Sequence, residues 1–341
     1  MIGDAAKECT DAAAILPPAL PRKEPSALAR ALGTVFALFV LRPLLWVLRL
    51  TGYWPRALPR ASARMAEEFV GFAPTAHDVL VCSYFKSGTN WTMQIALQIA
   101  WRGSAEFEHV HDVVPWVELP ERLGYTVAVC DALWRAAPTQ LRVIKTHLPI
   151  GKIAYDEAAK YVWVVRDPKD VFVSSYYFIR SILLGPLMIP LDEWLDIFLS
   201  EHTFSGSWAE HLHSGWQLRE RDNVLFLTYE EMKLDRAAAV DRIAALMGVS
   251  LAPAERDAVL ARSSYEHMKA ISRKFDTIGL SPPWVDPHGT MIRAGRAGGS
   301  GELLTPEQQK RIDDFWRAEL LRLGSDFPYD AHYGTSGLAK D

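Results

Sequence analysis

Three short stretches carry residues whose types and spacing could do chemistry on an anion. "YFKSGTNW" (Tyr84 to Trp91) puts Lys86 in a glycine-containing turn; "IKTHLP" (Ile144 to Pro149) puts Lys145 two residues before His147; "VVRDPKD" (Val164 to Asp170) sets Arg166 just before an acid and a proline. Lysine and arginine supply fixed positive charge and hydrogen-bond donors. Histidine is the side chain whose ordinary pKa suits proton transfer near neutrality. Brought together, these four groups would grip a highly charged anion beside a base.

The elements around them predict that meeting. His77 to Phe85 is a short β-branched run, followed by the turn "KSGT" and by "NWTMQIALQIAWR", whose apolar residues recur at helical spacing. Leu141 to Pro149 reads as a second buried strand with a polar tip. Tyr161 to Arg180 reads as a third strand, a sharp turn and a helix. Asn223 to Met232 reads as a fourth strand running into a helix that Gly248 ends. Strands that alternate with helices and lack in-out patterning imply an α/β fold with a central parallel β-sheet flanked by helices. In such a sheet the carboxyl ends of the strands share one edge, and ligands bind there. Lys86, Lys145, His147 and Arg166 all fall at strand ends.

A strand-to-helix turn also aims unpaired backbone N–H groups at whatever sits before it. Gly88 lets the chain approach a phosphate closely, and Ser87, Thr89 and Asn90 add side-chain donors. The triphosphate-binding pattern GxxxxGK[ST] is not matched, because the lysine precedes the glycine and no hydroxyl follows to hold magnesium. That argues against a P-loop kinase.

The chain of 341 residues, 49% hydrophobic, is long enough for a large core. Its formal charge of -4 argues against general nucleic-acid binding and makes any anion site local. Cys9, Cys82 and Cys130, odd in number and scattered, offer neither a disulfide framework nor a zinc spacing, which points to a reducing, cytoplasmic setting. Residues 1–30, rich in Ala and Pro, read as a flexible arm. Residues 31–66 form an apolar, basic collar: between Arg22 and Arg64 there are eight Lys or Arg and the single acid Glu24. Arg42 and Pro43 are expected to split its apolar run into pieces too short to cross a bilayer, which takes roughly 20 apolar residues. Two readings of the collar stay open: a segment lying in a membrane surface, or a helix-turn-helix packed on the domain or a partner chain, broken at Pro43 and Gly52-Tyr53-Trp54-Pro55. Residues 70–330 read as one domain.

"YFKSGTNW", "IKTHLP", "VVRDPKDVFVSSYYF" and "TYEEM", in this order and spacing, resemble the cytosolic-type sulfotransferases, over roughly Phe72 to Tyr329. These enzymes move a sulfuryl group from 3'-phosphoadenosine 5'-phosphosulfate (PAPS) to a hydroxyl or amine and release 3',5'-adenosine bisphosphate (PAP). The resemblance implies a P-loop-like sulfotransferase fold and no required metal. It makes Lys86, Ser87, Gly88, Thr89, Asn90 and Trp91 the 5'-phosphosulfate loop, with Lys86 at the bridging oxygen. His147 becomes the general base and Lys145 its neighbour at the sulfuryl oxygens. Arg166 and Ser174 would hold the 3'-phosphate; Trp91, Tyr229, Ser263 and Tyr265 would cradle adenine. In "IRAGRAGGSGELLTPEQ" (Ile292 to Gln308), Arg293 and Gly295 fit the last family motif, but Ala294 replaces its lysine and its tryptophan is absent. Either Arg296 compensates or donor affinity is lower. The short dimer motif of some members is not recognisable, so the oligomeric state stays open.

Acceptor walls by resemblance are Phe85, Trp116, His147, Tyr177 and Phe178, with "ILLGPLMIPLDEW" (Ile182 to Trp194) extending the pocket or forming its lid. An apolar pocket favours a hydrophobic hydroxylated small molecule or a lipid alcohol. The alternative is a non-catalytic protein that keeps the fold and the adenosine bisphosphate site. The pairs His109/His111 and His211/His213 are expected to be surface histidines.

Overall fold

The computed structural model describes residues 26–50, 72–116, 132–200, 203, 206–276, 282–285 and 291–334. Four parallel strands, β1 (Asp78–Ser83), β2 (Arg142–Thr146), β3 (Lys160–Val165) and β4 (Val224–Thr228), form a sheet of order β2-β1-β3-β4. Chain direction across the sheet reverses about β1, so the carboxyl ends of β1, β2 and β3 open one crevice. Register is pinned at the opposite edge, where Asp78 faces Arg142 and accepts two hydrogen bonds from its guanidinium, 2.7 and 3.1 Å.

Helices cover both faces. Val79 and Val81 of β1 join one apolar cluster with the helix Thr89–Ala100, while Leu80 and Cys82 join the other with Trp163 and Phe172. This two-sided burial is why the strands read as unbroken apolar runs. A buried ion pair ties the far layer together: Lys169 Nζ donates to Asp313 (2.6 Å) and to the Tyr333 carbonyl (2.5 Å), and Tyr329 Oη donates to Asp313 (2.8 Å).

Three expectations are corrected. After β4 the helix is not continuous: Tyr229–Leu234 stops at Asp235, which caps a new helix, Arg236–Leu246, by accepting from Ala238 N–H. Pro43 does not split the collar. The helix starts at Ser26, inside the expected arm, runs through Ala27–Phe36, passes a π turn at Ala37–Leu41 and continues as Arg42–Leu50. In the π turn Arg42 N–H bonds the Ala37 carbonyl, one residue further back than in an α-helix. That widened turn accommodates a ring that would otherwise clash with the carbonyl four residues earlier. The arm to residue 25, the collar beyond residue 50 with its Gly52–Pro55 break, Cys9 and Cys130 lie outside the described residues.

One member of each histidine pair, His109 and His211, is buried, while His111 and His213 are partly exposed. His109 is fully buried and bonded through Nε2 to the Asp276 carbonyl at 2.7 Å, and His111 stacks on Trp116 at 5.6 Å. His211 is fully buried against Trp163, ring centroids 4.7 Å apart, and burial pulls its pKa down to about 3. Turn and helix contexts put His109 and His211 inward, which residue type alone does not signal.

Candidate active site

The crevice at the strand ends holds a cavity of about 250 Å³. Its floor is the turn after β1. Lys86 has φ +67° and Gly88 φ +101°, so the chain turns sharply into the helix that begins at Thr89. The first intrahelical bond runs from Thr92 N–H to the Gly88 carbonyl (3.0 Å). Earlier N–H groups are the ones a helix start leaves without an intrahelical acceptor. A Cβ on Gly88 would lie 2.8 Å from the Tyr229 ring, so the close pass of loop and aromatic requires glycine.

Lys86 stands with Nζ 4.0 Å over the Phe178 ring. Burial first, then the charges of Arg166 and Arg293, lower its pKa to about 7. Arg166, from the end of β3, spans the loop: it donates to the Lys86 carbonyl (3.2 Å), to Asp170 (3.1 Å) and to the Arg296 carbonyl (2.9 Å), with its guanidinium 4.5 Å from the Tyr229 ring centroid. Its Nε is buried without a partner. Asp170 also accepts from the N–H groups of Gly298 (2.9 Å) and Gly299 (3.0 Å), fixing the loop that brings Arg293 and Gly295 over the cavity.

Across the cavity, Lys145 Nζ sits 3.3 Å from the Trp116 ring centroid, and Trp116 meets the His147 ring edge-on at 5.3 Å. His147 Nδ1–H donates to the Ser83 carbonyl at 2.7 Å. A carbonyl only accepts, so the bond fixes the tautomer that leaves the lone pair on Nε2. Burial, then the nearby Lys145 charge, holds its pKa well below 6.5. The imidazole is therefore neutral and proton-accepting at physiological pH.

Of the residues singled out in the sequence, Phe85, Lys86, Gly88, Thr89, Asn90, Trp91, Trp116, Lys145, His147, Arg166, Ser174, Phe178, Tyr229, Tyr265, Arg293 and Gly295 line this one cavity. Three do not. Ser87 Oγ is buried behind the loop without a partner. Ser263 is fully buried, its hydroxyl bonded to the Val259 carbonyl (2.7 Å); it acts on the cavity through its own carbonyl, which takes the Trp91 indole N–H at 2.8 Å. Tyr177 lies behind Arg293, ring to guanidinium 4.6 Å. The segment after Ile182 lines a separate cavity of about 320 Å³, between Tyr176, Leu187–Pro190 and the N-terminal helix.

Met232, Lys233, Arg236, Met268 and Met291 also line the cavity and were not foreseen. Arg236 is half-buried, and its Nε has no partner. Its place depends on the helix break at Asp235, which periodicity concealed. Arg296 lines the cavity too, ion-paired with Glu302, which also holds Arg293 at 2.5 Å. No group of His, Cys, Asp and Glu suited to a metal ion occurs among the described residues.

A sulfotransferase domain model matches residues 76–324. Sulfotransferase 2A1 of Macaca fascicularis is 30% identical over 261 residues, 74% of this chain and 88% of that protein; sulfotransferase 1C2 of Oryctolagus cuniculus is 28% identical, over 75% and 87%. Two solved structures share the fold: retinol dehydratase in complex with retinol and PAP (TM-score 0.63, 23% identity, 79% and 88% covered) and mouse sulfotransferase SULT7A1 complexed with PAP (TM-score 0.59, 24% identity, 77% and 90% covered). With the domain match spanning most of its length, the chain belongs to the sulfotransferase family and is a sulfotransferase.

Proposed function

We propose that the protein transfers a sulfuryl group from PAPS to the hydroxyl of a hydrophobic small molecule, with His147 as general base and Lys86 and Lys145 as the charges that stabilise the transition state. The observation that carries this reading is the meeting of Lys86, Lys145, Arg166 and Arg293 with a neutral His147 around one cavity. The residues fit a bisphosphate-bearing donor on grounds internal to the structure. Arg166 Nε and Arg236 Nε are buried without protein partners, and Gly88 lets the loop pass directly against the Tyr229 ring.

PAPS supplies an activated sulfate whose leaving group is a phosphate. The work left to the protein is positioning and fixed positive charge, as in phosphoryl transfer. Lys86 and the N–H groups of the turn face the charge that builds as the S–O bond breaks. Arg166 and Ser174 hold the 3'-phosphate, with Arg293 above them. Trp91, Tyr229 and Tyr265 provide the flat apolar walls for adenine. His147 Nε2 takes the acceptor's proton while Nδ1–H stays on Ser83, so the ring keeps its orientation as it becomes a cation. Lys145 offers its charge to the sulfuryl oxygens.

The acceptor end, walled by Phe85, Trp116 and Phe178, suits an apolar alcohol or phenol. Relatives named for 3-beta-hydroxysteroids and for retinol agree with that class. The test is label transfer from PAPS to a panel of sterols, retinoid alcohols and simple phenols. Transfer to at least one apolar hydroxyl is expected. PAP binding without transfer to any member would favour the non-catalytic reading instead.

A further inference from the structure

The helix Ala27–Leu50 is bound to the domain lengthwise and on one narrow side. Gly33 packs so closely on Pro283 that an added Cβ would lie 3.0 Å from its ring, and Ala37 is wholly buried. Leu45 and Trp46 reach the second cavity beside Leu187–Pro190. From Gly33 to Trp46 the contact runs about 20 Å along the axis. The rest is bare: Leu32 is 61% exposed and Phe39 75%, with Val35, Leu44 and Val47 about half exposed. The helix contains no acid.

The π turn sets where the cations go. On a regular helix, at about 100° per residue, Arg42 would stand about 120° around from Arg30. A single π turn absorbs one residue and turns everything after it back by about 100°, which brings Arg30 and Arg42 to within about 20° of each other. That azimuth falls on the docked side, between Ala37 and Trp46, where Arg42 itself lines the second cavity, and well away from Leu32 and Val47. Seen end-on, the helix carries the domain and both arginines on one side and a broad apolar face opposite.

We propose that this apolar face docks on an anionic lipid bilayer, the helix lying in the plane of the membrane with Arg30 and Arg42 at the level of the headgroup phosphates. Charge complementarity selects the occupant: cations with no acid on the helix meet phosphates, whereas a second copy would offer the same cations. In length and composition Ala27–Leu48 could also cross a membrane. Its lengthwise contact would then draw residues 187–190, with exposed Asp192 two residues past Pro190, into hydrocarbon. The in-plane arrangement avoids that. That segment follows the helix Pro168–Ile179, which presents Tyr176 to this side and Ser174 and Phe178 to the active-site cavity. Docking thus holds the acceptor mouth near lipid, a consequence that rests on the sulfotransferase reading, while the docking itself does not.

The experiment is flotation of the full chain with phosphatidylcholine vesicles, with and without about one-third phosphatidylserine, alongside thermal stabilisation by PAP. Wild type is expected to float with the anionic vesicles and to be released by alkaline carbonate. Leu32→Gln/Phe39→Gln/Val47→Gln should lower partition about a hundredfold or more. Arg30→Gln/Arg42→Gln should lower it about 25-fold on anionic vesicles and leave neutral ones unchanged. Equal partition of wild type and the apolar variant, retention through carbonate, or a dimer that the apolar variant dissolves without vesicle binding by wild type would each overturn the proposal. If the apolar variant loses PAP stabilisation and so does not fold, the arginine variant and the carbonate step still decide. Wild type that floats but gains no stability from PAP would leave docking intact and sink the donor reading.

Discussion

Lys86 gives the sharpest prediction, because its charge is held near a tipping point. Burial and two guanidinium groups bring its pKa to about 7. Below that pH the ammonium is present to meet a phosphate; above it the free protein must take up a proton to bind. PAP affinity should therefore fall between pH 7 and 9 by about fiftyfold, equivalent to about 2.3 kcal/mol, as the protonated fraction drops from one-half to about one-hundredth. The phosphates work in the opposite sense only lower down, since their second ionisation lies near pH 6. Titration calorimetry in buffers of different ionisation enthalpy checks this directly. Proton uptake should be about one-half at pH 7 and approach one by pH 8.5. Lys86→Arg, whose charge persists through this range, should show neither the decline nor the uptake. A wild-type affinity flat from pH 7 to 9, or an arginine variant that declines like wild type, would refute the reasoning.

Three further outcomes follow from the same geometry. Gly88→Ala places a Cβ against Tyr229 at a φ of +101°, at a strain of about 1–2 kcal/mol or more, and should abolish most of the thermal shift produced by PAP. Arg236→Ala removes a cavity-lining guanidinium whose Nε has no protein partner; it should weaken PAP about tenfold by calorimetry and leave the urea midpoint unchanged. Asp313→Asn removes the nearer of the two carboxylates on the buried Lys169 ammonium, leaving Asp167 at 3.2 Å, and should lower unfolding free energy by about 2 kcal/mol in urea titration, with little effect on nucleotide affinity for the protein that remains folded.

Much of this was legible in the sequence, for identifiable reasons. Strands buried on both faces leave unbroken β-branched runs, and residues at their carboxyl ends converge by topology alone; Lys86, Lys145, His147 and Arg166 needed no further information. What the sequence hid depends on local backbone events and on side-chain partners. The π turn let the helix pass Pro43, so a break was expected where none exists. Asp235 divided a run that looked periodic throughout, and Arg236 reached the cavity because of it. Ser263 carries a donor type suited to a ligand, yet its hydroxyl is consumed by Val259. Arg296, the cation placed to stand in for Ala294, is shared with Glu302.

The central claim is that a neutral His147, oriented by Ser83, removes the acceptor proton beside a cluster of cations that grips the activated sulfate. Its most direct test is single-turnover label transfer from saturating PAPS by wild type and His147→Ala, with PAP affinity measured on both. The account predicts near-equal affinity and a loss of about 10² to 10⁴ in transfer rate. Equal transfer rates in the two proteins would contradict it.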